Sequence, residues 1–154
     1  MSNWIGAAAL SAFGLVAAVP ATAQDWYEPA RGSDERRNLM DAVRPHVEWR
    51  LGAPVEFVVE ALRTDGDVAF ALLSPQRPGG AAIDINDTPM VQIFGDDAEY
   101  YEETGGLGVV ALMVRAGTQW AAVDFSLGAT DAWFSVEPYC TAFLPVLDDY
   151  CGDY

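Results

Sequence analysis

Leu39-Met40-Asp41-Ala42-Val43-Arg44-Pro45-His46-Val47-Glu48-Trp49-Arg50-Leu51-Gly52-Ala53-Pro54-Val55-Glu56-Phe57-Val58-Val59 changes its hydrophobic period once, at Gly52, and that change decides the fold. Before it, Leu39, Val43, Val47 and Leu51 recur every fourth residue and mark one apolar face of a helix. After it, Val55, Phe57 and Val59 recur every second residue, the period of a strand. Gly52 supplies the helix stop and Pro54 forbids continuation. Upstream, Ser33 offers an N-cap, with Asp34 and Glu35 in the first turn where the helix dipole favours anions. Arg36, Arg37, Arg44 and Arg50 lie largely off the stripe. Pro45 removes one backbone hydrogen bond inside the pattern, so a bent helix is expected, wrapped around a twisted sheet.

Downstream, the strand reading runs from Val55 to Arg63, and Asp65-Gly66 marks a tight hairpin turn of the I′ type. Val68 to Leu73 is the return strand. Ser74-Pro75-Gln76-Arg77-Pro78-Gly79-Gly80 is too rich in Pro and Gly for anything but an ordered loop or a sheet exit. Residues 81–106 show little period; a short strand is expected near Val91 to Phe94, followed by an acidic loop at 95–106. A second hairpin follows, with Gly108 to Arg115 leading through Ala116-Gly117 into Gln119 to Leu127. The two hairpins look like two copies of one unit.

Both faces of these strands are apolar. Phe70 and Leu72 alternate with Ala69, Ala71 and Leu73, while Val110, Leu112 and Val114 alternate with Val109, Ala111 and Met113. One helix cannot cover both faces, so the second needs a lid. The C-terminal segment can supply it, with Trp133, Phe134, Tyr139, Phe143, Leu144, Val146 and Leu147; a second subunit is the alternative. Thr130-Asp131 could cap a short helix there, with Pro138 near its end.

The first 23 residues read differently. Ile5 to Val19 carries no charge, Pro20 breaks the run, and Ala21-Thr22-Ala23 places small residues where a signal peptidase reads. The run is shorter than the roughly 20 residues needed to span a bilayer, so residues 1–23 are expected to be a cleaved signal peptide. Gln24 to Tyr154 then forms a single exported α+β domain, in the periplasm or outside the cell, with no later segment apolar enough to span. In that compartment the two cysteines, Cys140 and Cys151, should form a structural disulfide. On the chain-entropy model such a short loop gains roughly 3 kcal/mol.

The net charge is −15, and all eight basic residues are arginine. From Gln24 to Gly80 seven arginines face ten acids; from Ala81 onward Arg115 alone faces 13. A surface this negative repels phosphate backbones and anionic headgroups, so neither nucleic acid nor a membrane surface is expected as partner. It permits a basic protein or a cation, and it equally suits plain solvation.

A long helix followed by a four-stranded antiparallel meander resembles the cystatin-like and NTF2-like α+β architectures. The runs Leu51 to Val59, Pro75 to Gly80, and Gln119-Trp120 leading to Gly128-Ala129-Thr130-Asp131 resemble a group of small exported bacterial proteins, over residues 34–132. The resemblance supports export and the fold read from the residues, one long bent helix on a four- to five-stranded antiparallel sheet, and carries no catalytic residue across. NTF2-like enzymes, isomerases and hydratases among them, use an acidic base inside a cone-shaped pocket. This chain departs from them in showing one front helix where they usually show more.

Candidate chemistry is sparse. His46 is the only histidine, so no metal triad or Ser-His-Asp set can use a second imidazole, and a partly exposed helix position is expected for it. No nucleophile elbow, phosphate loop or dinucleotide fingerprint occurs. Asp96, Asp97, Glu99, Glu102 and Glu103, with Asp84, Asn86 and Asp87 upstream, carry the oxygens that Ca²⁺ prefers without EF-hand spacing; a solvated acidic loop is the plainer reading. Asp124 lies in an apolar strand, read on the same face as Trp120 and Ser126. Covered by a lid it would be a desolvated general base; otherwise it pairs with Arg115 or Arg63, or sits at a rim. Tyr100, Tyr101, Trp133 and Tyr139 suit core or lid packing as well as an interface. The expectation is a non-catalytic exported domain without cofactor or metal, binding a protein or envelope component. The alternative is an acid–base enzyme using Asp124.

Overall fold

The computed structural model describes residues 25–152. The signal peptide read at 1–23 and its cleavage before Gln24 lie outside the described residues. The described residues fold as an α+β domain of five α-helices and one four-stranded antiparallel sheet, whose strands lie side by side in chain order.

Helix α1 (Asp34–Leu51) forms for the reasons its sequence suggests. Ser33 Oγ accepts from the Arg36 N–H at 3.1 Å, satisfying one of the donors a helix start leaves free. Leu39, Met40, Val43, Val47 and Leu51 are buried; removing such side chains from water gains about 1.5–3 kcal/mol each. Pro45 sits on the exposed side and does not interrupt the helix. At the other end Gly52 donates back to the Glu48 carbonyl. The last carbonyls are taken by Arg77, which donates to Leu51 O at 2.8 Å, to Pro54 O at 3.1 Å and to Gly52 O. A cation at a helix C-terminus also complements the dipole, so the Pro/Gly-rich segment at 77–80 closes α1 through Arg77.

Strands β1 (Glu56–Thr64), β2 (Val68–Gln76), β3 (Val109–Ala116) and β4 (Gln119–Leu127) pair in sequence. Alternation on the two central strands separates two cores. Ala69, Ala71, Leu73, Val109, Ala111 and Met113 pack with α1. Phe70 and Leu112 face the other way, onto Phe134, Phe143, Val146 and Leu147 of the C-terminal arm. The lid is therefore this chain's own arm. It contains α4 (Tyr139–Ala142) and α5 (Leu144–Cys151), joined by the Cys140–Cys151 disulfide with its Cα atoms 5.5 Å apart. Arg63 fastens the arm to the sheet, donating to both carboxylate oxygens of Asp149 and lying 4.5 Å from the Trp26 ring centroid and 5.2 Å from that of Tyr150.

Five local readings need correction. β2 runs through Ser74-Pro75-Gln76, with Pro75 opposite Phe57. Its pairing with β3 ends at Leu73, and a proline is tolerated where a strand has become an edge. The first hairpin turn is not type I′, because positive φ occurs at Gly66 and not at Asp65. Instead the Asp65 carboxylate accepts from Asp67 N and Val68 N, both at 2.8 Å. No strand forms at Val91 to Phe94: Pro89, already held at a helical φ, starts α2 (Pro89–Gln92), which buries Met90. The acidic segment is no loop either. Asp97 caps α3 (Ala98–Thr104) by accepting from Glu99 N at 3.0 Å. Last, Pro138 precedes α4 rather than ending a helix, and Thr130-Asp131 cap nothing: a single 3-10 turn, Trp133–Ser135, follows them.

Candidate functional site

Asp124 is not where alternation alone would put it. The β3–β4 register runs Leu112↔Asp124 and then Met113↔Ala122, which leaves Val123 as the extra residue of a β-bulge. One inserted residue reverses the facing of everything beyond it. Trp120 and Ala122 pack with α1, and beyond the bulge Phe125 and Leu127 do the same. Asp124 and Ser126 therefore face the arm, opposite to Trp120. There the Tyr139 hydroxyl donates to Asp124 Oδ2, Phe125 N donates to Asp124 Oδ1 at 2.9 Å, and Trp133 Nε1 donates to Ser126 Oγ at 2.7 Å. The Tyr139 phenol is pushed above the ordinary tyrosine value, first by that hydrogen bond to Asp124 and then by burial. Neither arginine considered as a partner reaches Asp124. Arg63 is committed to Asp149, while Arg115 donates to the Gly117 and Gly66 carbonyls. Among the described residues Asp124 lines none of five surface concavities of about 120–310 Å³, and its oxygens accept at the arm–sheet contact from Tyr139 and Phe125.

His46 lies exposed on α1, its ring 5.3 Å from that of Phe125. Among the described residues, no three His, Cys, Asp or Glu side chains converge to hold a metal ion. The acids around α3 are largely exposed, and two of them cap turns: Asp84 accepts from Asn86 N at 3.0 Å and Asp97 caps α3.

The strongest surface feature involves residues that the hydrophobic pattern passes over. Trp49 is 69% exposed, Ile93 73% and Phe94 40%. The Trp49 and Phe94 rings lie 5.7 Å apart, joining the end of α1 to the segment after α2. Arg50 lies 5.5 Å from the Phe94 ring centroid and pairs with Asp96, whose Oδ2 also accepts from the Tyr101 hydroxyl at 3.3 Å. Burial, then the Asp96 charge, raises Tyr101 above the ordinary tyrosine value, which keeps it a donor. Phe94 is thus held by Arg50 and against Trp49 while much of both rings stays in water, and Ile93, the residue before Phe94, completes the patch in sequence. The one sequence signal for it is Trp49 itself, a large aromatic off the buried stripe between Glu48 and Arg50.

No known protein family, curated protein or solved structure matches the chain.

Proposed function

We propose that the protein is an exported, non-catalytic binding domain whose contact surface centres on Trp49, Ile93 and Phe94, with a protein of the cell envelope or exterior as partner. The observation that carries this is the exposure of three large apolar side chains on a positioned surface, two of them about seven-tenths exposed. Contiguous exposed apolar surface marks interaction sites, and an anchor already fixed in place loses little entropy on binding. Export is supported by the apolar run before Ala21-Thr22-Ala23, and a disulfide-closed arm suits an oxidising compartment. The cystatin-like or NTF2-like affinity draws support from one long helix preceding a four-stranded meander. Acid–base chemistry at Asp124 has less support, since its carboxylate is engaged by Tyr139 and Phe125 outside any of those concavities.

A photo-crosslinking amino acid at position 93, expressed in the native exported protein, tests the reading. A discrete protein adduct that disappears when Trp49→Ser is added is expected. Adducts equally abundant from a remote exposed position, Val136, would overturn it.

A further inference from the structure

A hollow of about 240 Å³ is lined by Ile83, Ile85, Tyr101 and Leu107 and walled by Asp84 and Glu102. Asn86 ties its two acids together: its N–H donates to Asp84 Oδ1 at 3.0 Å and its side-chain amide to Glu102 Oε1 at 3.4 Å. Among the described residues neither carboxylate is paired with an arginine. Asp84 to Glu103 holds seven acids and no basic residue. Arg50 is committed to Asp96, and Arg77 to the last carbonyls of α1.

An apolar wall and two uncompensated carboxylates ask for different things from one occupant. Aliphatic surface satisfies the wall; positive charge satisfies the acids and relieves their mutual repulsion. Lysine and arginine carry both, a hydrocarbon stem and a cationic head. A bare cation would leave the wall unfilled. The hollow is also joined to the patch by direct contacts, from Tyr101 to Asp96, from Asp96 to Arg50, from Arg50 to Phe94 and from Phe94 to Trp49.

We propose that the hollow takes a lysine or arginine side chain of the protein partner, displayed beside the apolar residue that covers Trp49 and Ile93. The inference rests on the binding reading above. The partner segment is then basic and apolar together, and it meets the half of the chain that carries most of the negative charge.

The probe is a twelve-residue peptide of alternating leucine and lysine, titrated into the full-length protein against the same peptide with every lysine acetylated. The charged peptide should bind more tightly by about tenfold or more, and Asp84→Asn with Glu102→Gln should remove that advantage. Asp84→Asn retains a capping side chain, which protects the 3-10 turn. Neutralising two remote acids, Glu137→Gln with Asp148→Asn, controls for bulk charge and should change affinity by less than about twofold. Equal losses from both pairs, or equal binding of the acetylated peptide, would overturn the proposal. So would sedimentation showing a dimer that the peptide dissociates, since a second copy would then be the occupant. If these results go against the hollow while the position 93 adduct still depends on Trp49, the binding reading stands and this inference alone falls. Without that adduct, both fall.

Discussion

The hydroxyl of Tyr139 donates to the carboxylate of Asp124, and this bond joins the C-terminal arm to β4 immediately beyond its bulge. It gives Asp124 a positioning role. Asp124→Ala leaves both the Tyr139 hydroxyl and the Phe125 N–H without their partner. In a half-buried setting this should cost about 1–2 kcal/mol in denaturant unfolding, whereas Asp124→Asn, which still presents an acceptor, should cost less than half as much. Equal stabilities for wild type and Asp124→Ala would remove the latch from the account.

The facing of Asp124, reversed by the bulge at Val123, marks what a single sequence can carry. Alternation along β4 is visible in the residue types, but a bulge is a property of two strands, and Val123 looks like any other strand valine. The buried stripe of α1 was legible because four periodic residues agree with a cap, a stop and a proline. The arm-as-lid was legible for a similar reason: Phe70 and Leu112 need cover, and the aromatic tail offers it. Helices α2 and α3 were not, since four and seven residues hold too little period to outweigh a run of polar side chains. The Trp49–Phe94 contact joins segments far apart in the chain, so no local pattern encodes it.

The disulfide should matter through the arm. It closes a short loop, for which the chain-entropy model gives about 3 kcal/mol. Reduction should lower the melting temperature and uncover Phe70 and Leu112, raising fluorescence of a hydrophobic dye before the sheet unfolds. A reduced protein with unchanged melting temperature and no dye signal would show that packing alone holds the arm.

Acid should loosen the same arm by a separate route. The hydrogen bond from Arg63 holds the Asp149 carboxyl below its ordinary range. A group lowered in the folded state contributes stability above its unfolded value, and that contribution is lost as pH falls through the folded one. The Arg63 shift is upward, so its contribution stays complete at every acidic and neutral pH. Relative to Asp149→Asn, wild type should be more stable at neutral pH, and the gap should close below about pH 4. Asp149 is more than half exposed, so the gap should also shrink in high salt. A gap that persists unchanged to pH 2 would assign it to packing instead of charge.

Gly128 links the end of β4 to the hollow beside α3. Its φ is +67°, and a Cβ there would stand 2.6 Å from Tyr101 Cδ1 and 2.9 Å from the Gly106 carbonyl oxygen. The tyrosine ring can swing aside alone, but the backbone oxygen cannot move without the segment after α3. Gly66 provides the control: its φ is +103° and nothing lies within 4 Å of the added atom. Gly66→Ala should therefore show backbone strain only, about 1–2 kcal/mol. Gly128→Ala carries that strain plus the steric overlap, typically about 1–3 kcal/mol more. It should also displace Tyr101, weakening the leucine–lysine peptide where Gly66→Ala leaves it unchanged. Equal destabilisation by the two substitutions, with peptide affinity intact in both, would show that β4 and α3 are not coupled through this contact.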